Sequence, residues 1–228
     1  MIGGSTVFFW SSDISLFPHK HTSTILVLED CDDDFKTPPF EDAVIAFGPN
    51  GKSSRLVTNL NTCQTIGGSR CLSVSRDGRF FVVCEIVGKH LRAYETQTGK
   101  QLWSVDGEFT AATVAQDGRV YAVISSGTIY GERTVIIDQA GRITNTANIA
   151  GFDMALDEKR EVLWLVGKTI KRCTLDLKIL QEIKPIGWCA SSVDVNSDGS
   201  IWVAERDHPD VRQSTNRLLR IDSNGQIT

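Results

Sequence analysis

The sequence lacks the features that mark several classes of protein. It has only 6 Pro in 228 residues, no CxxC pair among its six cysteines, and no block of five or six basic residues. Its longest apolar runs are of strand length, which argues against a transmembrane helix. Without a basic block, and with 28 acidic against 24 basic side chains, a nucleic acid is not an expected partner. The 41% hydrophobic content is typical of a soluble globular protein with a sizeable core.

Common catalytic and export signals are also missing. The chain contains neither an HExxH zinc motif nor a GxSxG nucleophile elbow, and no glycine-rich segment has the lysine of a phosphate loop. The N-terminus lacks the basic and apolar regions of a signal peptide. The six scattered cysteines are interpreted as buried or half-buried free thiols. These features favour a cytoplasmic location, or an exported protein if the N-terminus is truncated.

The sequence does contain an internal repeat of about forty residues. Segments 72–83, 112–123 and 193–204 share an Asp-Gly pair between two apolar flanks, with an aromatic residue four positions after the Asp. The Asp residues of the repeat are spaced by 40, 40 and 41 residues, and stand at Asp77, Asp117, Asp157 and Asp198. Asp157 is followed by Glu and not by Gly. Because Gly adopts positive φ freely and Asp bonds its own backbone, each Asp-Gly pair predicts a tight turn between two strands.

A second turn follows in each repeat, for example Gln97-Thr98-Gly99 and Ser223-Asn224-Gly225. Two hairpins make four strands, here called a to d from the first to the last. A four-stranded antiparallel unit repeated every forty residues is typical of a β-propeller. We therefore expect an all-β, single-domain propeller, with about five recognisable blades. The predicted blades are residues 1–66, 67–108, 109–150, 151–187 and 188–228.

The number of blades in the ring stays open at this point. The last blade lacks a fourth strand, which residues 6–10 would supply in a closed five-bladed ring. A six-bladed ring and a fragment of a larger ring are the alternatives, since the chain ends just after a turn where another strand is expected to start.

The last repeat carries a family resemblance. Residues 193–206, running on to 216–225, resemble NHL-type propeller repeats, which are similar to the gluconolactonase and streptogramin-lyase propellers. The resemblance implies a propeller fold over roughly residues 23–228. Gluconolactonase relatives bind a divalent metal on the ring axis through Glu, Asn and Asp, but the glutamate motif near their N-terminus is absent here. Their Asn-Gly-Leu segment is also absent, so the resemblance does not imply lactonase activity.

Two long b–c connections contain the candidate binding residues. In propellers the b–c and d–a connections share one face, and long loops on a rigid scaffold tend to carry function. The long connections run over residues 29–42 and 205–210, and Trp188 lies in a d–a connection. The candidate ligand-binding residues are Glu29, Trp188, Glu205, Arg206, Asp207 and His208. Among them, His208 has the chemistry of a metal ligand or a general base.

The first long connection also resembles a calcium loop in its spacing. Asp30, Asp32, Asp34 and Glu41 occupy positions 1, 3, 5 and 12 of such a loop, and their oxygens are ligands that Ca²⁺ prefers. Phe35 stands where a calcium loop needs Gly, and two prolines interrupt the segment. A solvated acidic loop is the alternative interpretation. No cofactor is certain, and a divalent metal, Ca²⁺ or Mn²⁺, is the candidate.

These observations lead to two functional hypotheses. The favoured one is a non-catalytic scaffold that binds a protein, a peptide or a small ligand at the loop-rich channel mouth, because no complete catalytic set is present. The alternative is a divalent-metal-dependent hydrolase or lyase of the lactonase type, in which a metal ion polarises a carbonyl group. The fold alone does not distinguish the two.

Overall fold

A computed structural model describes residues 10–19, 22–30, 42–48, 50–60, 72–85, 88–126, 131–206 and 217–228, with the backbone alone for residues 10–19, 22–25, 29 and 30. Within these ranges the regular elements are nineteen β-strands and a single 3-10 turn, Glu158–Arg160. No α-helix occurs in them. Accordingly, none of the described ranges contains a helix that is long and apolar enough to span a membrane.

The strands form five antiparallel sheets, each built from strands that are consecutive in sequence. The first sheet contains β1 (Trp10–His19), β2 (Thr22–Asp30), β3 (Asp42–Phe47) and β4 (Ser53–Leu60). The second contains β5 (Leu72–Val74), β6 (Phe80–Glu85), β7 (His90–Glu95) and β8 (Gln101–Asp106). The third contains β9 (Glu108–Val114), β10 (Val120–Ser125), β11 (Arg133–Ile137) and β12 (Ile143–Ala147). The fourth contains β13 (Asp153–Asp157), β14 (Val162–Val166), β15 (Ile170–Thr174) and β16 (Ile179–Ile183), and the fifth β17 (Cys189–Val195), β18 (Ile201–Arg206) and β19 (Arg217–Ile221).

The predicted Asp-Gly turns connect the first two strands of three sheets. Gly78, Gly118 and Gly199 have positive φ values of 68°, 81° and 87°, which a residue with a side chain adopts at a cost. In the third sheet the Asp117 carboxylate accepts hydrogen bonds from the backbone N–H of Arg119 (3.0 Å) and from its Nε (2.6 Å). The Asp side chain therefore fixes the turn, as the repeat predicts.

The sheets stack side by side through their first strands. β1 contacts β5, β5 contacts β9, β9 contacts β13, and β13 contacts β17. Three apolar clusters fill the spaces between the sheets: one is shared by the first three sheets, one lies between the third and fourth, and one between the fourth and fifth. The outer strands β8, β12 and β16 are mostly exposed. This radial arrangement of antiparallel sheets is a β-propeller, which confirms the predicted all-β fold.

The first and last sheets do not close a ring among the described strands, since β17 and β1 show no packing comparable to that of the other first strands. Trp10 belongs to β1 and pairs with Asp30, so this end of the predicted closing strand lies in the first sheet; residues 6–9 are outside the described ranges. Ile227 instead forms a bridge with Ile221 at the edge of the fifth sheet. The assignment of the whole chain to one domain stays a prediction.

One repeated aromatic position shows the effect of this open arrangement. Phe81, Tyr121 and Trp164 are at most 1% exposed, and the last two lie in clusters shared with the following sheet. Trp202, at the corresponding place on β18, is 40% exposed. No described sheet packs over it, so the fifth sheet presents an uncovered aromatic face.

Candidate functional site

On the predicted binding face, a buried carboxylate accepts hydrogen bonds from the backbone of one connection between two sheets. Residues 184–188 join β16 to β17, and Glu205 lies near the end of the neighbouring strand β18. The Glu205 side chain is 1% exposed. Its Oε1 accepts a hydrogen bond from the Ile186 N–H and its Oε2 one from the Gly187 N–H, both at 2.9 Å. Hydrogen bonds from amides satisfy a carboxylate that is withdrawn from water, so Glu205 holds this connection in place.

The anchored connection exposes apolar side chains on both sides of a glycine. Ile186 is 57% and Trp188 38% exposed. The Trp188 N–H donates to the Arg206 carbonyl oxygen at 2.9 Å, which adds a third fixed point. A methyl group on Gly187 would lie 2.9 Å from that same oxygen, so the close approach requires glycine. We call the exposed Ile186 and Trp188, together with the half-buried Arg206, the Trp188 surface.

The residue that follows Trp188 in the chain is a buried thiol. Cys189, the first residue of β17, is a free cysteine and is 3% exposed. Burial raises the pKa of the Cys189 thiol, and the nearby Arg206 guanidinium opposes this shift only in part. Cys189 therefore stays a neutral thiol near pH 7 and contributes packing, not a nucleophile.

The structure brings together three of the six predicted ligand-binding residues. Trp188 and Arg206 lie on the Trp188 surface, whereas Glu205 contacts the backbone beneath it. Asp207 and His208 lie outside the described residues, and Glu29 is described only as a backbone position in β2. Ile186 was missed, because an isolated apolar residue after Pro185 carries no signal that it lies on the surface.

The calcium-loop residues fall mostly outside the described part of the chain. Asp30 ends β2, and Asp32, Asp34 and Glu41 belong to the segment that the structure does not describe. Among the described residues, no group of three or more His, Cys, Asp or Glu side chains is placed to hold a metal ion. The calcium site and the metal-dependent alternative therefore stay predictions.

At the other end of the sheets, where the Asp-Gly turns lie, a cavity of about 540 Å³ opens between the ends of β9, β13 and β17. Four of its charged side chains form two ion pairs. Arg160 Nη1 lies 3.0 Å from Asp157 Oδ2, and Arg76 Nη1 lies 3.6 Å from Glu158 Oε2. Arg160 also donates to the Asp198 carbonyl oxygen at 2.6 Å, linking the fourth sheet to the fifth. These side chains hold neighbouring turns together.

Comparison with known proteins identifies the fold and no family. No protein-family model matches the sequence, and no curated protein matches it. Solved structures do match. Hydrazine synthase from Kuenenia stuttgartiensis has a TM-score of 0.67 and 12% identity over 90% of this chain, which spans 61% of the length of that chain.

Two further structures give the same result. A chain of the nidogen–laminin complex has a TM-score of 0.62 at 8% identity, covering 90% of this chain and 74% of that one. A protein of unknown function from Bacteroides caccae has a TM-score of 0.60 at 12% identity, covering 89% and 76%. At such low identity the likeness concerns the backbone alone. The chain therefore shares the β-propeller fold with these proteins, and the comparisons assign it no activity.

Proposed function

We propose that this protein is a non-catalytic β-propeller scaffold that binds a protein or peptide through the Trp188 surface. The observation that carries the proposal is the anchored connection, in which a buried carboxylate fixes the backbone beneath an exposed tryptophan. Trp and Arg are enriched among the residues that contribute most to binding at protein interfaces. A connection that is already ordered loses little conformational entropy on binding.

Two further observations support a binding role. One of the similar structures comes from a nidogen–laminin complex, so a chain of similar fold has been observed in a protein–protein complex. The NHL-type resemblance of residues 193–206 is compatible with a scaffold, and membership of that family is part of this proposal. The metal-dependent hydrolase or lyase remains the second prediction, because its residues lie largely outside the described ranges.

A peptide selection on the immobilised protein tests the proposal. Peptides enriched by phage display would be measured by fluorescence anisotropy against the wild type, Trp188→Ala and Leu180→Ala. Leu180 is 55% exposed on β16, away from the Trp188 surface, and is the matched control. We expect Trp188→Ala to weaken binding at least tenfold and Leu180→Ala to change it by less than about twofold.

A second variant separates positioning from contact. Glu205→Gln keeps the shape of the side chain but replaces one of the two accepting oxygens with a donor that faces an amide N–H. We expect it to weaken peptide binding while Trp188 remains present, with a larger effect on the dissociation rate than on the association rate. Equal binding by the wild type and Trp188→Ala would contradict the proposed function.

A further inference from the structure

The dipeptide Asn-Gly occurs twice in the sequence, and both copies lie in turns. In this dipeptide the backbone nitrogen of glycine can attack the side-chain amide carbon of asparagine, because glycine has no side chain to hinder the approach. Asn50-Gly51 connects β3 to β4, and Asn224-Gly225 follows β19. The backbones of the two turns are alike: Gly51 and Gly225 have φ values of 75° and 84°, and each N–H donates to the carbonyl oxygen three residues earlier. The side chains of the two turns differ.

In the turn after β19 an aspartate binds both the backbone and the asparagine side chain. Asp222 Oδ1 accepts hydrogen bonds from the N–H of Asn224 at 2.9 Å and from the N–H of Gln226 at 2.8 Å. The hydrogen bond from Gln226 contributes most to lowering the pKa of the Asp222 carboxyl, and the side-chain amide of Asn224 also donates to it. The turn between β11 and β12 has the same backbone hydrogen bonds to Asp138. The Asn224 amide is therefore held beside a carboxylate.

In the turn between β3 and β4 the asparagine itself takes the place of that carboxylate. Gly48 stands where these two other turns have an aspartate, and the Lys52 N–H donates to Asn50 Oδ1 at 3.0 Å. A methyl group on Gly48 would lie 3.2 Å from Asn50 Oδ1, so the glycine leaves room for the amide. The hydrogen bond to Lys52 closes a ring of atoms that includes Asn50 Cγ and Gly51 N, which keeps these two reacting atoms near each other.

The Lys52 N–H also stabilises the charge that forms during the attack. When the Gly51 nitrogen gives its proton to hydroxide and bonds to Asn50 Cγ, the electron pair of the carbonyl bond moves to Oδ1. A backbone N–H that already points at this oxygen stabilises the oxyanion as it forms. The Cγ–Nδ2 bond then breaks and ammonia leaves with a proton from water, and water opens the resulting cyclic imide to aspartate or isoaspartate. Beside Asn224 the Asp222 carboxylate opposes a second negative charge.

The surroundings of the two glycines differ in the same direction. Apart from the chain neighbours of Gly51, no described atom lies within 4 Å of a methyl group built on it. A methyl group on Gly225 would overlap the side-chain amide of Gln181 in the fourth sheet. Gln181 Nε2 also donates to the Asn224 carbonyl oxygen at 3.4 Å. Water and hydroxide therefore reach the first turn more easily than the second.

We propose that Asn50 is a site of spontaneous deamidation, and that it reacts faster than Asn224 because a backbone N–H binds its side-chain oxygen and its glycine is uncovered. Both products add a negative charge to the turn. Isoaspartate also adds a methylene group to the backbone, next to the pairing of Phe47 with Ser53, and so loosens this end of the β3–β4 hairpin. The modification does not involve the Trp188 surface, so either proposal can fail while the other holds.

Peptide mapping by mass spectrometry measures both sites in the same sample. The full chain would be incubated at pH 8, in the native state and in guanidinium chloride, and peptides that contain aspartate would be separated from those that contain isoaspartate. We expect Asn50 to deamidate at least about fivefold faster than Asn224 in the native state, and at a similar rate in the denatured state. The rate at Asn50 should rise with pH, since the attack requires a deprotonated nitrogen.

Two reciprocal substitutions test the cause. Gly48→Asp supplies the aspartate of the other turns, and should slow deamidation of Asn50 about fivefold without changing that of Asn224. An unchanged rate at Asn224 also shows that this variant is folded. Asp222→Gly removes the carboxylate from the other turn and should speed deamidation of Asn224. The proposal is overturned if Asn224 reacts as fast as Asn50 in the native protein, if the ratio of the two rates is the same in guanidinium chloride, or if neither substitution changes a rate.

Discussion

At the scale of single residues, Cys173 shows how completely burial controls chemistry in this protein. The residue is a free cysteine on β15, is fully buried, and lies in the apolar cluster between the third and fourth sheets. Burial raises the pKa of the Cys173 thiol to about 11, although the Lys171 ammonium acts in the opposite direction. Its neutral form is the one the folded protein favours, so this contribution to stability is complete below pH 9. It is lost as the pH rises from 9 through about 11.

We expect Cys173 to resist alkylation in the native protein. Only about one thiol in a thousand is ionised at pH 8 when the pKa is about 11, and the thiolate is the reactive form. Peptide mapping after iodoacetamide treatment at pH 8 should find Cys173 unmodified in the folded protein and modified after denaturation. Native labelling as fast as that of an unfolded cysteine peptide would contradict this account.

The sequence predicted the environment of those residues whose environment follows from neighbouring residues in the chain. It did not predict contacts between distant segments. Cys84, Cys173 and Cys189 are free and buried, which agrees with the interpretation of the scattered cysteines as free thiols. The other three cysteines lie outside the described residues. Trp188 was expected at the channel mouth because it lies in a d–a connection; the structure shows it 38% exposed in that connection. Glu205 was expected to contact a ligand. Its bonds to Ile186 and Gly187 depend on two chain segments meeting, which no local pattern reveals.

At the scale of elements, Asp153 joins the first strands of neighbouring sheets. It is 1% exposed at the start of β13. Its Oδ2 accepts hydrogen bonds from the Val193 N–H (3.0 Å) and the Ser192 Oγ (2.9 Å) of β17. The third and second sheets have a weaker version of this contact, in which the Val114 N–H donates to Ser73 Oγ at 3.2 Å. Where two sheets meet, hydrogen bonds from a backbone N–H to a side-chain oxygen thus take the place of the backbone–backbone hydrogen bonds found within a sheet.

We expect Asp153→Ala to destabilise the protein by about 2–4 kcal/mol, because it removes the carboxylate that accepts two hydrogen bonds from β17 and opens a small cavity. Ser73→Ala, which removes a single neutral contact, should cost about 1 kcal/mol. Urea unfolding of the two variants and the wild type measures both values. Equal costs for the two substitutions would show that the charge of Asp153 is not what joins the sheets.

The turns between the first two strands of a sheet depend mainly on the residues within the turn. Asp-Gly at 77–78, 117–118 and 198–199 predicted tight turns, and each glycine has the positive φ that the prediction requires. The remaining copy, Asp157-Glu158, begins a 3-10 turn instead, and Glu161 adopts a φ of 54° there. The Asp157 side chain accepts from the Arg160 N–H and also forms an ion pair with its guanidinium (3.0 Å). The aspartate is therefore kept while the turn around it lengthens, and the spacing of the repeat alone does not show this.

At the scale of the whole molecule, the forty-residue period predicted five blades, and the described strands form five sheets. Closure of the ring was left open in the sequence analysis, because it depends on the angle between successive sheets and not on any local pattern. The exposed Trp202 could not be predicted for the same reason: its local sequence matches that of the buried Tyr121. Only the presence of a following sheet distinguishes the two environments.

Among the described strands the fifth sheet has one neighbouring sheet and the third has two, so we expect local stability to differ along the row of sheets. In a repeat protein each unit is stabilised mainly by its nearest neighbours, so a unit with one neighbour opens more readily than a unit with two. Native-state hydrogen exchange should therefore be faster in β17–β19 than in β9–β12, with partial unfolding of the fifth sheet preceding global unfolding. Equal protection of both sheets would instead require a contact over Trp202. Unfolding of this propeller would then begin at its end and spread inward, as in a linear array and unlike a closed ring.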